Sequence, residues 1–224
     1  MKVLIFDSGA LINLSMNGLL DILEKLKASF QGKFVITEAV KYETCDRPIG
    51  IERFELGALR IQSLISKGIL ELPSSLNIDK KELNKETFEI MNIANRSLQA
   101  RSQFIKIVSE AEMSCLALSK ILSKQGIETL IAIDERTTRI LSEKPENLEK
   151  IMSEKLHIPV RPATKNFSAF SGFRYIRSSE LVYVAFKKGL TDVQGPKALE
   201  ALLYATKFKG SSISFEEINE LKKL

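Results

Sequence analysis

Cysteine and histidine are scarce in this chain, and that scarcity removes several kinds of chemistry. The two cysteines, Cys45 and Cys115, are far apart and neither has a CxxC partner. Neither a disulfide framework nor a thiolate metal site is expected, and both read as packing residues. The one histidine, His157, reads as a surface or packing residue. No apolar run is long enough to span a bilayer, and the N-terminus has one Lys and then a strand-like run without a small-residue cleavage site. No membrane partner and a cytoplasmic location are therefore expected. The GxGxxG that brings a helix N-terminus up to a pyrophosphate is absent, which leaves a dinucleotide-binding reading unsupported. There is no internal repeat and no low-complexity tract.

What is present is an ordinary globular balance, 44% apolar and 27% charged in 224 residues. That is enough for one good-sized core, or for a domain with an appended element. The net charge of +5 permits a polyanionic partner without requiring one.

Short all-apolar runs alternate with longer segments of helical spacing. "KVLIFD" precedes a helix through Leu19, Leu23 and Leu26; "GKFVIT" precedes "EAVKYET"; "GILELP" and "ETLIAID" are later strand candidates. Strands apolar on both faces and separated by helices predict an α/β fold with a mainly parallel central sheet covered on both sides. Long helices are predicted through Phe54, Ala58, Ile61 and Leu64, and from Asp79, where Asp79-x-x-Glu82 fits a capping box with Ile78 as staple. After about Pro159 the character changes. "RPATKNFSAFSGFRYIRSSE" reads as a loop in which three Phe residues and Tyr175 alternate with Arg174 and Arg177. Two helices follow, lined by Leu181, Val182, Ala185 and Phe186 and then by Leu199, Leu202, Ala205 and Phe208; a last one opens at Ser214-x-x-Glu217. Their apolar faces need a partner, so this extension is expected to pack on the sheet domain.

Two strands end on acids: "KVLIFD" on Asp7 and "ETLIAID" on Asp134. Ligand sites of doubly wound sheets lie beyond the carboxyl ends of the strands, so both acids can face one crevice. Each also fits a helix cap. An aspartyl phosphotransferase would need a second acid where Gly9 stands, and a receiver domain would need a late strand-end Lys; neither is present.

In order, "VLIFDSGALI", "FVITEAVKYE", "SEAEMSCLALS" and "LIAIDERTTRIL" resemble the four motifs of the PIN domain, a nuclease family dependent on Mg or Mn, over roughly residues 1 to 145. The resemblance implies a PIN-like three-layer nuclease domain at 1–158 and a helical C-terminal extension at 159–224. It implies catalytic Asp7, Glu43, Glu112 and Asp134, with Asp7, Glu112 and Asp134 holding Mg2+ or Mn2+. Ser8 and Glu110 would assist. Glu112 equally fits a capping box with Ser109, and Glu43 an exposed helix face. Hard divalent cations prefer carboxylate oxygens and reverse the field that would otherwise repel a phosphodiester. The activity implied is a metal-dependent endoribonuclease in RNA processing or decay, acting on single-stranded RNA; the alternative is a non-catalytic PIN-like module that binds RNA or a protein. Arg136 and Arg139 are candidates for RNA phosphates, and Arg174, Tyr175 and Arg177 for a surface on which bases stack and phosphates pair. Members of the family often pair as homodimers, and no feature of this sequence decides that point.

Overall fold

The computed structural model describes residues 1–164 and 166–223; Lys165 and Leu224, both in the expected extension, lie outside the described residues. The first half of the chain forms β1 (Lys2–Phe6), α1 (Ser8–Met16), α2 (Asp21–Ser29), β2 (Gly32–Val35), α3 (Glu38–Lys41), α4 (Glu52–Ser66), α5 (Lys80–Asn95), β3 (Leu98–Ala100) and β4 (Gln103–Phe104). The second half forms α6 (Glu110–Lys124), β5 (Glu128–Ala132), α7 (Arg136–Glu143), α8 (Leu148–Leu156), β6 (Val160–Pro162), β7 (Tyr175–Ile176), α9 (Ser178–Lys187), α10 (Ala198–Phe208) and α11 (Phe215–Leu221).

The main sheet has the order β2-β1-β5-β7 with all neighbours parallel. Val3, Leu4, Ile5 and Phe6 are all buried, so β1 is covered on both faces, as its unbroken apolar run predicts. From β1 the chain passes to β2 on one side and later to β5 on the other. Strand order thus reverses between β1 and β5, where a crevice opens beyond the carboxyl ends.

Helix α6 is buried almost all round, with Ala111, Met113, Cys115, Leu116, Ala117 and Leu118 among its covered residues. It packs on β1 and β5 with α5 against it, and α9 packs against α1, α2 and α10. One large core joins these elements, and a small cluster of Leu203, Ile213 and Ile218 holds the C-terminal helices together.

Four expectations change. "GILELP" forms only a single bridge, Glu71 beside Val35, because Gly68 turns at positive φ and Pro73 opens a 3-10 turn. The segment after Glu38 is a short α-helix that widens into a π turn over Tyr42–Asp46, carrying Glu43. Asp79 caps α5 through the Lys81 amide instead of sharing a box with Glu82, whereas the boxes at Ser109/Glu112 and Ser214/Glu217 form. The extension is not purely helical: β7 joins the main sheet beside β5, and β6 pairs antiparallel with β3 in a second sheet of order β4-β3-β6. No helix among the described residues is long and apolar enough to cross a membrane.

Candidate active site

Asp7 follows the last residue of β1 and caps α1. Its amide donates to Ala132 O at 2.9 Å, its Oδ2 accepts from the Gly9 amide at 3.1 Å, and its residue exposure is 2%. The other oxygen, Oδ1, has no hydrogen-bond partner among the described residues. Burial pushes the Asp7 carboxyl up to about 8, the charge of Glu112 adds to this, and Glu43 pushes in the same direction, against the Gly9 and Ser8 amides. An unmatched buried oxygen costs about 1–3 kcal/mol. A cation would relieve that cost and the repulsion together.

Glu43 is brought to Asp7's neighbour by the π turn, since Ser8 Oγ donates to Glu43 Oε2 at 2.7 Å. Glu112 sits in the first turn of α6. Its Oε2 accepts from the Ser109 amide at 3.1 Å and from Thr138 Oγ1 at 2.9 Å, so the capping and site readings of this residue coincide in one geometry. Burial raises its carboxyl, with the nearby Glu135 charge adding. Asp7, Glu43, Glu112 and Glu135 therefore form an acidic group in which each residue lies within electrostatic reach of another.

Asp134 lies at the same end of the sheet. A Cβ at Gly9 would stand 3.2 Å from Asp7 Oδ2 and 4.0 Å from Asp134 Cβ, so both acids border that glycine. Its oxygens are, however, fully engaged: Oδ1 accepts from the Ser178 amide at 2.8 Å, and Oδ2 accepts from Ser178 Oγ at 2.6 Å and Asn13 Nδ2 at 3.0 Å. Asn13 Nδ2 also reaches Thr206 O at 2.8 Å. Asp134 thus ties α1, α9 and α10 together.

The four expected acids do not converge on one metal-sized point: among the described residues no group of three Asp, Glu, His or Cys side chains stands ready to hold a metal ion. The donor chemistry still fits Mg2+ or Mn2+ at Asp7, because Mg2+ needs only one or two protein carboxylates and completes its shell with water and substrate phosphate. Glu110 is exposed and lines, with Glu43, a cleft of ≈ 580 Å³ whose wall also carries Arg47, Lys80 and Lys106.

The expected Arg174, Tyr175 and Arg177 surface does not form. Arg174 Nη1 reaches Glu128 at 2.6 Å, at the amino end of β5 and away from the acids. Tyr175 is part-buried with its hydroxyl against Ser142. Arg177 is only 6% exposed, held by Glu180 and Glu217 at 2.9 Å each. Arg136 is exposed, and Arg139 lies across Glu143 at 3.3 Å. His157 is exposed and ends α8 in a left-handed turn, and both cysteines are buried and unpaired, as expected of packing residues.

Sequence reasoning missed Asn13, Thr138, Ser178 and Glu135. A signal existed for the first, a polar amide in the otherwise apolar "GALINL", but its partners come from 121 and 193 residues away. Compared with family models, curated proteins and solved structures, the chain matches none of them.

Proposed function

We propose that this protein is a PIN-like, metal-dependent endoribonuclease that hydrolyses phosphodiester bonds of single-stranded RNA. The observation that carries the reading is Asp7: a buried carboxylate with one unpartnered oxygen, at the strand-order reversal, facing Glu112 and Glu43. Asp7 and Glu112 would hold Mg2+ or Mn2+, which when bound lowers the pKa of a water and polarises a phosphoryl oxygen. Glu43, fixed by Ser8, stands where it can accept a proton or orient a water. Arg47, Lys80 and Lys106 on the adjoining cleft supply charge of the sign that a phosphodiester backbone needs. Asp134 serves by positioning, since it locks α1 and α9 around the crevice.

A second reading, a non-catalytic module that binds RNA through the same fold, is favoured by the absence of a ready three-residue ligand group among the described residues. One experiment separates them. A labelled single-stranded RNA is incubated with the protein and Mn2+ or Mg2+, with a chelator control, and followed on a gel. The nuclease reading expects cleavage by the wild type, none with chelator, and a loss of at least a hundredfold in Asp7→Asn with the fold intact by circular dichroism. Equal rates in the two proteins sink the assignment of Asp7; bound but uncut RNA in both supports the binding module.

A further inference from the structure

Four buried side-chain polar atoms lack a hydrogen-bond partner among the described residues: Asp7 Oδ1, Arg139 Nε, Arg177 Nε and Ser212 Oγ. The first belongs to the acidic site. The other three belong to residues that line a single cavity of ≈ 620 Å³ between α7 and the segment joining α10 to α11. Buried polar groups in folded proteins are nearly always matched, and three residues that each carry an unmatched one border this single cavity, which marks its wall as short of acceptors. Two of them are N–H groups that can only donate and the third is a hydroxyl, a set that suits a group rich in acceptor oxygens.

Charge agrees with the donors. The cavity wall carries five cations, Arg136, Arg139, Lys144, Arg177 and Lys207, against three carboxylates. Two of those carboxylates are already matched, Glu143 with Arg139 and Glu217 with Arg177, and Glu216 is exposed. Arg136, Lys144 and Lys207 make no ion pair among the described residues.

Beside the cationic wall stand aromatic rings. Phe215 lines the cavity at 48% exposure and Phe208 is 73% exposed, their centroids 6.5 Å apart, with Tyr204 stacked on Phe208 at 6.1 Å. Lys207 Nζ lies 4.3 Å from the Phe215 ring centre. Exposed aromatic faces next to cations are the parts from which single-strand binding surfaces are made, since every base has a face to stack. The cavity also opens at the right end of the sheet: α7 begins just after Asp134, and Arg177 follows β7 directly, so cavity and acidic site share the carboxyl side.

We infer that this cavity takes a backbone phosphate of single-stranded RNA, with the adjoining base stacked on the exposed Phe208 ring. The anion preference stands on the cavity itself; that the strand is RNA rests on the nuclease reading. Binding is measured by fluorescence anisotropy with a labelled single-stranded oligoribonucleotide and an abasic strand of equal length. Chelator is present so that no cleavage intervenes, and salt is varied. Arg136→Gln with Lys144→Gln should flatten the slope of log affinity against log salt by up to about 0.7, the share of the one phosphate that the cavity takes. Ser212→Ala should weaken both strands alike, whereas Phe208→Ala should weaken the oligoribonucleotide by about tenfold and leave the abasic strand unchanged. Salt plots that superimpose on the wild type for the Arg136/Lys144 variant would overturn the phosphate site, and equal losses for the two strands in Phe208→Ala would overturn base stacking. Because binding is read in chelator and cleavage separately with Mn2+, a wild type that binds with the expected slope yet never cleaves sinks the nuclease reading and leaves this site standing. Cleavage with an unaltered slope in the variants does the reverse.

Discussion

Asp7 and Asp134 are both buried strand-end acids, yet their surroundings assign them opposite roles. Asp134 has three donors on its two oxygens, whereas Asp7 has one donor and an unmatched oxygen. The difference predicts opposite responses in the metal-free protein. With its carboxyl pushed up to about 8 by burial and by Glu112, Asp7 keeps its proton in the folded chain at a pH where the unfolded chain, with its ordinary value near 3.8, has lost it. The folded state then binds more protons than the unfolded one, so stability falls as pH rises through this window, by about 1.4 kcal/mol per unit for one such group, and Glu112 adds in the same sense. The carboxyls held low, Glu71, Glu128 and Glu217, act in the opposite sense: their contribution is in place above the ordinary carboxylate value of 4.5 and is lost as pH falls below it. Thermal melts in chelator should therefore show the wild type losing stability from pH 5 to pH 8. Asp7→Asn should show a flatter profile and be the more stable at pH 8. Asp134→Asn should be destabilised at every pH by about 1–3 kcal/mol, because its amide turns a second donor toward Ser178 or Asn13. A wild-type profile without slope between pH 5 and 8 would refute the buried-proton account of Asp7.

At the scale of elements, α9 and α11 are tied to each other through side chains at their starts. Arg177, at the N-cap of α9, reaches Glu180 in its own first turn, Glu217 in the first turn of α11, and Ser212 O at 3.3 Å in the connection before it. Both glutamates are partly exposed, so their ion pairs are screened, and the buried guanidinium acts chiefly as a hydrogen-bonded spacer between two helices. Replacing Arg177 with Met keeps the volume and removes these bonds. The expected cost is about 1–3 kcal/mol in urea unfolding, with hydrogen-exchange protection lost first in α11. Unchanged protection in α11 would show that Leu203, Ile213 and Ile218 hold the helix without Arg177. The capping boxes at Ser109 and Ser214 were legible because they are local, three residues from cap to partner. Arg177 was read as an RNA contact because nothing local reveals that Glu217 comes back to meet it across 40 residues.

For the whole molecule, the boundary at residue 158 separates partners rather than domains. Residues beyond it supply β7 to the edge of β5, β6 to β3, Ser178 to Asp134 and Thr206 O to Asn13. A chain ending at residue 158 would expose the β5 edge and leave the buried Asp134 and Asn13 short of partners, a costly set of losses for one core. It should show no cooperative thermal transition by circular dichroism, whereas the full chain should show one. A sharp transition in the truncated chain would show that residues 1–158 fold without the extension packed on them.

The amino-acid sequence by itself determined what depends on neighbours a few residues apart. The doubly covered strands follow from unbroken apolar runs, the helices from apolar spacing, the caps from Ser and Asp ahead of them, and the strand-end position of Asp7 and Asp134 from the acid that closes each apolar run. Only the tertiary structure decided which of those acids is matched. Matching depends on Asn13 and Ser178 arriving from distant elements, and on the π turn that swings Glu43 toward Ser8. The same holds for the cationic cavity, where α7, the start of α9 and the α10–α11 connection meet. Local pattern sets each element's shape because backbone sterics and apolar spacing act over a few residues. The state of a buried charge is set by whatever donors packing brings to it, and those carry no mark in the sequence that surrounds the charge.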